Sequence, residues 1–306
     1  MGRNIRRWRQ NAYNAPPIPR QINNFEIPES YCLLATGEKF LAFDSGIEHE
    51  NRILIFPTDN GLEDLAKSPN WAADGTFKIS PLLFYRLYCI HTQEGSFNIP
   101  RVFALLPGKT KEVYIRLSTY LLQLKPKLNP KSLLTDFEIG AQKGFINMFP
   151  EATISSCLFH LSKSIFKKIC DLGFRQRYKE DEAFNLKIRC FSALSFLPLS
   201  DVVEGFIDLS DDTDLPPEFI AYFEMTYIGQ VRGRRGIRME PIFAIASWNV
   251  RERVINQLPR SNNSLEGLHN ALQYSLSCQH PSIWKLIEIL KKEEAIALKK
   301  KKATFN

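Results

Sequence analysis

Between Lys39 and Leu106 short apolar runs alternate with turn-forming residues. Lys39-Phe40-Leu41-Ala42-Phe43 and Arg52-Ile53-Leu54-Ile55-Phe56-Pro57 have the length and the β-branched or aromatic content of strands, and Gly61 to Lys67 reads as a short helix after them. Trp71-Ala72-Ala73-Asp74-Gly75-Thr76-Phe77-Lys78 is a further strand. Its two-residue period sets Asp74, Thr76 and Lys78 on one face and Ala73, Phe77 and Ile79 on the other. Tyr85 to His91 and Arg101 to Leu106 follow, separated by Glu94-Gly95-Ser96, so three consecutive strands make an antiparallel meander. From Lys109 to Leu124 the period becomes helical, with Val113, Leu117, Tyr120, Leu121 and Leu124 on one face and Pro126 as the stop. A crossover helix delivers a parallel strand, here Ser132 to Thr135, ending at Asp136. A helix from Glu138 to Met148 and a strand from Ala152 to Phe159 complete a mixed α/β sheet.

Beyond Leu161 the pattern is helical as far as Val254, in segments Leu161 to Leu172, Glu182 to Leu194, Asp201 to Leu209 and Pro216 to Tyr227. Val231 to Arg238 reads as a basic glycine loop. Ser261 to Leu276 resumes a helix along Leu265, Leu268, Leu272 and Leu276, and Ile283 to Lys302 is the last. The expected organisation is a flexible basic arm (1–30), a lead-in segment (31–68), the first part of a catalytic core (69–160), a helical insertion (161–258) and the final core helices with a basic tail (259–306).

A chain of 306 residues with 44% hydrophobic residues buries a large core. No apolar run reaches the length of a membrane helix and Met1 to Arg20 lacks the apolar centre of a signal peptide, so an intracellular protein without a membrane partner is expected. Six scattered cysteines suit reduced thiols. Thirteen positive charges sit in residues 1–24, in Arg232, Arg234, Arg235 and Arg238, and in Lys299 to Lys302; with a net charge of +7, the remainder carries −6. Basic segments on an acidic body suit phosphate contacts with DNA or a nuclear-import signal, and the alternative is a solvated surface run.

Three carboxylates stand out, each with a plainer alternative. Asp74-Gly75 has the composition of a two-residue hairpin turn, Asp136 precedes a helix as an N-cap does, and Asn263 with Glu266 has capping-box spacing. Set on one sheet, with Asp74 and Asp136 on neighbouring strands and Glu266 on a late helix across their ends, the three can hold two Mg²⁺ or Mn²⁺ ions about 4 Å apart on a phosphodiester. Gly108-Lys109-Thr110 has the end of a phosphate-binding loop, but Phe103 stands where its first glycine belongs.

The motifs Trp71 to Lys78, Leu87 to His91, Phe103 to Pro107, Thr135-Asp136-Phe137-Glu138, Cys157-Leu158-Phe159-His160, Tyr222 to Gly229, Trp248-Asn249-Val250 and Asn262 to Gly267 together resemble the transposases of Mutator-like elements (MULE). The resemblance implies a ribonuclease-H-like mixed five-stranded sheet flanked by helices and interrupted by an all-helical insertion. It assigns an Asp, Asp, Glu metal triad to Asp74, Asp136 and Glu266, and a Cys-x-x-His motif to Cys157 and His160 as accessory residues. Two zinc ligands fall short of the four of a closed site, and Cys278 with His280 would have to supply the rest. Ser261 and Leu268 replace the threonine and tryptophan common in the family. The implied function is metal-dependent cleavage and joining of DNA at transposon ends and target in the nucleus, by a protein able to self-associate. A derivative that binds DNA or a protein partner without catalysis, and a nuclease on the same fold, are the alternatives.

Overall fold

The computed structural model describes residues 16–94, 97–232 and 236–305. A single turn, α1 (Glu29–Cys32), precedes β1 (Phe43–Asp44), β2 (Leu54–Pro57) and α2 (Asp59–Lys67). The meander is β3 (Asn70–Thr76), β4 (Arg86–Glu94) and β5 (Phe97–Leu106), followed by α3 (Lys111–Leu124), β6 (Ser132–Thr135), α4 (Ile139–Met148) and β7 (Thr153–Ser156). These strands form one seven-stranded mixed sheet in the order β1-β2-β5-β4-β3-β6-β7. β6 runs parallel to both β3 and β7, whereas the meander is antiparallel. Five strands were expected. The lead-in adds the other two, because β2 pairs with β5 from Leu54↔Leu105 to Pro57↔Val102 and β1 pairs with β2.

Two apolar layers cover the sheet. Trp71, Ala73, Tyr88, Ile90, Val102 and Ala104 pack beneath α3 and α4 against Tyr114, Leu117, Leu121 and Phe145. The opposite face, Leu54, Phe56, Leu87, Cys89, Phe103 and Leu105, is covered by Leu272 and Leu276 and by Ile283, Leu286, Ile287 and Leu290 of the last two helices. Full burial on both faces explains why the paired leucines Leu133 and Leu134 of β6 do not alternate with exposed polar residues, the flanking Ser132 and Thr135 being buried as well.

The insertion comprises α5 (Leu158–Asp171), α6 (Arg175–Glu180), α7 (Glu182–Ala193), α8 (Val202–Ser210), α9 (Pro217–Phe223), the two-residue strands β8 (Val231–Arg232) and β9 (Ile237–Arg238), α10 (Ile245–Trp248) and α11 (Arg251–Ile255). It has its own core around Ile165, Phe184, Phe191, Phe206, Phe219, Phe223, Tyr227 and Trp248. The chain then returns to the sheet as α12 (Asn263–Leu276) and α13 (Ile283–Phe305). Arg253, on α11, fastens the insertion to the sheet by donating from Nη2 to Gln93 Oε1 (2.8 Å) and from Nε to the Pro259 carbonyl (2.8 Å). No helix among the described residues is long and apolar enough to cross a membrane.

Three local expectations change. The strand expected to run to Phe159 ends at Ser156, because Leu158 and Phe159 open α5. Within the basic glycine stretch β8 and β9 pair antiparallel, Val231 with Arg238 and Arg232 with Ile237, and before them Gly229 sits at φ +98°, where a Cβ would lie 1.9 Å from the Met239 carbonyl oxygen. Residues 16–30 are held on the body: Trp284 Nε1 donates to the Pro17 carbonyl (3.1 Å), and Arg52 Nη1 donates to the Ile22 and Phe25 carbonyls (3.1 and 2.9 Å). Residues 1–15 of the expected arm lie outside the described residues.

Candidate active site

β3 runs through the Asp-Gly pair without turning: Asp74 faces Cys89 and Gly75 faces Tyr88 in the antiparallel register with β4. On its other side β3 pairs in parallel with β6, Ala72 opposite Leu134. Carried two residues further, that register sets Asp136, the residue after β6, beside Asp74. Asp136 is no N-cap, since α4 begins after Glu138, whose side chain makes no cap bond. Asn262, not Asn263, caps α12, also without a side-chain bond, so Glu266 belongs to no capping box. The hairpin, cap and capping-box alternatives therefore all fail.

α12 lies across the face that carries Asp74 and contributes two side chains there. His269 Nδ1 is 3.7 Å from Asp74 Oδ2, and Glu266 Oε1 is 3.6 Å from His160 Nε2 on the first turn of α5. Asp74 is buried, and its carboxyl accepts the Gly75 N–H at Oδ1 (2.7 Å). Burial, then the neighbouring charge of Asp136, pushes the Asp74 carboxyl up to about 7, with a smaller contribution from Glu266. Burial and Glu138 likewise raise Asp136. Burial holds His269 down to about 4, with Arg86 adding to the effect, so it is neutral at pH 7. Burial also depresses His160, against the pull of Asp136 and Glu266.

Beneath the carboxylates lies a buried network absent from the sequence expectations. Arg86 Nη1 donates to the Tyr114 hydroxyl (2.7 Å) and is ion-paired with Glu138, which also accepts the Tyr114 hydroxyl hydrogen. Its guanidinium occupies the space above Gly75, where a Cβ would lie 2.0 Å from Nη2. This network explains the glycine, and a glycine inside a strand is itself a signal of close approach by another group. Gly75→Ala is expected to expel Arg86 and lower stability by about 2–4 kcal/mol, comparable to breaking a buried ion pair. Chemical denaturation of the variant measures it, and unchanged stability would remove Arg86 from this position.

Cys157 is buried, and its sulfur accepts the Asn262 N–H (3.1 Å), tying the start of α12 to the end of β7. Cys278 and His280 lie by Lys285 and Ser80, so they do not complete a zinc site with Cys157 and His160. Among the described residues, no three or more His, Cys, Asp and Glu side chains gather tightly enough to hold an ion, and Glu266 is turned to His160. Of the basic loop, Arg232 is exposed, whereas Arg238 is engaged with Glu224 Oε1 (2.7 Å) and the Gly229 carbonyl (2.6 Å). Arg234 and Arg235 lie outside the described residues.

Residues 70–164 match the family model of the MULE transposase domain. The MULE match takes in Asp74, Asp136, Cys157 and His160, while Glu266 lies beyond its end. No curated protein matches the chain. Among solved structures, the Drosophila P element transposase strand transfer complex aligns at 12% identity over 79% of this chain and 81% of that one, with a TM-score of 0.31, too low to equate the folds.

Proposed function

We propose that this chain is the catalytic core of a DDE-type DNA transposase, with Asp74, Asp136 and Glu266 as its carboxylates. The observation that carries the reading is convergence: β3, β6 and α12 bring Asp136 and Glu266 within electrostatic reach of Asp74, whose carboxyl both raise. The central strand order β5-β4-β3-β6-β7, with an antiparallel meander and two parallel strands, supports a ribonuclease-H-like sheet. A divalent ion fits the donor set. Asp74 and Asp136 offer hard oxygens on mutually repelling carboxyls, and neither forms an ion pair with lysine or arginine among the described residues.

Mg²⁺ or Mn²⁺ ions held there supply Lewis-acid activation of water or a terminal 3′-hydroxyl and stabilise charge on the phosphate. Asp74 and Asp136 would be the primary ligands in this reading, and Glu266 would complete the set in place of its contact with His160. Neutral His269 packs 3.7 Å from Asp74 Oδ2, while Arg86, engaged by Tyr114 and Glu138, fixes the strand beneath.

Phosphate recognition, in this reading, falls to exposed basic residues such as Arg232, and binding weakens steeply with salt because neutralised phosphates release counterions. Incubating the protein with an end-labelled DNA duplex and Mn²⁺ is expected to yield nicks bearing 3′-hydroxyls. Salt-sensitive binding without any nick would instead favour the DNA-binding derivative, the reading to which the Glu266–His160 pairing lends support.

A further inference from the structure

Exposed aromatic side chains stand on two patches of surface, one against Arg86 and one against His160. On the first, Phe77, three residues beyond Asp74, is 42% exposed and meets Tyr85, 43% exposed, edge to face at 4.9 Å between ring centroids. The buried Arg86 guanidinium lies 5.0 Å from the Phe77 ring centre, so this pair stands over the same charge that underlies Gly75. On the second side Phe159 is 39% exposed beside His160, 5.7 Å between ring centroids, and His160 faces Glu266. Lys163 Nζ is 5.6 Å from the centre of the Phe159 ring.

Neither ring is needed to fill the core, since their neighbours Ile79, Phe84 and Leu161 are buried while they are not. An exposed aromatic ring takes the π face of an unstacked nucleobase, and exposed Lys163 beside Phe159 adds a cation for its phosphate, whereas Arg86 is buried and engaged by Glu138 and Tyr114, so Phe77 and Tyr85 offer ring faces alone. A base paired within a duplex offers no face to such a ring.

We infer that Phe77 with Tyr85, and Phe159 with Lys163, form stacking platforms for unpaired nucleotides flanking the scissile phosphate, so that the substrate is DNA locally opened at the site. This inference rests on the DNA reading above and specifies the conformation of the substrate. The rings are positioning residues: they hold bases, and the carboxylates do the chemistry.

The test compares a fluorescein-labelled duplex with the same duplex carrying a few central unpaired nucleotides, titrated with metal-free protein and read by anisotropy. Wild-type protein is expected to prefer the opened DNA by about 10-fold or more. Phe77→Ala and Phe159→Ala should each remove most of that preference with duplex affinity nearly unchanged, and Phe77→Trp should keep it, which separates stacking from loss of fold. Duplex binding with no preference for opened DNA, or a preference that survives both alanines, overturns the platforms and leaves the DNA reading standing. Failure to bind either DNA overturns both.

Discussion

Asn in place of Asp74 is expected to make the metal-free protein more stable at pH 8, even as it destroys the proposed activity. In the folded chain Asp74 is held up to about 7 from an ordinary value of 3.8. Below about pH 4 the carboxyl is protonated in both folded and unfolded chains, and its contribution is intact. As pH rises toward 7 the unfolded chain releases this proton while the folded chain keeps it, so folding stability falls. Above 7 the folded chain carries a buried, repelled charge. The shift corresponds to at most about 4 kcal/mol.

Other groups titrate in the same window with the opposite sign. His91, which burial holds down to about 3, and His269, held down to about 4, are neutral in the folded chain where the unfolded chain is protonated. The prediction is therefore a difference. The stability of Asp74→Asn minus that of wild type should grow from near zero at pH 4 to about 1–4 kcal/mol at pH 8, as the two histidines are common to both proteins. Asparagine keeps the Gly75 N–H bond through its carbonyl oxygen, and its amide nitrogen takes the place of Oδ2, 3.7 Å from the ring nitrogen Nδ1 of neutral His269. A difference independent of pH would mean that Asp74 is not held protonated by its surroundings. Thermal melts of both proteins across this range provide the measurement.

Asp74→Asn, Asp136→Asn and Glu266→Gln should each lower Mn²⁺-dependent nicking by about 10³-fold or more, and pairwise combinations should be little worse than the single changes. The reason is that all three oxygen sets serve one site, so losing any one disables it. Independent roles would give losses that multiply. DNA binding by metal-free protein should persist in all of them. Initial rates on an end-labelled duplex, alongside binding by anisotropy, measure both. Nicking that survives Glu266→Gln would transfer the third role to a different acid, and Glu138, beside Asp136 and paired with Arg86, would be the first to examine.

Elements whose burial matches a local period were legible. Ser132 to Thr135 is legible because its two leucines follow a crossover helix that Pro126 stops and precede Asp136 and the next helix, the setting of a short buried parallel strand. The fate of Asp74-Gly75 was not legible locally. The same dipeptide makes a hairpin or continues a strand, and pairing with Cys89 and Tyr88 on one side and β6 on the other decides it. The Arg86–Tyr114–Glu138 network joins a strand to a helix and to the loop after β6, separations that no window of periodicity spans. Its one sequence trace was a glycine in a strand. Residues 16–30 looked unstructured because Ile22, Phe25 and Ile27 follow no period, yet each packs against the body, with Phe25 edge to face on Trp284 at 5.9 Å. Glu266 stands out in the sequence beside Asn263, with a capping box as its plainer alternative, while His269, one turn along α12, needs the fold to bring it to Asp74.

The central claim is that Asp74, Asp136 and Glu266 form one metal site, and calorimetric titration of Mn²⁺ into the protein at pH 8, where Asp74 is ionised, tests it most directly. The account predicts heat of binding for wild type, its loss in Asp74→Asn and Asp136→Asn, and a weaker isotherm in Glu266→Gln. Equal Mn²⁺ binding by wild type and all three variants, or none by wild type, would contradict it.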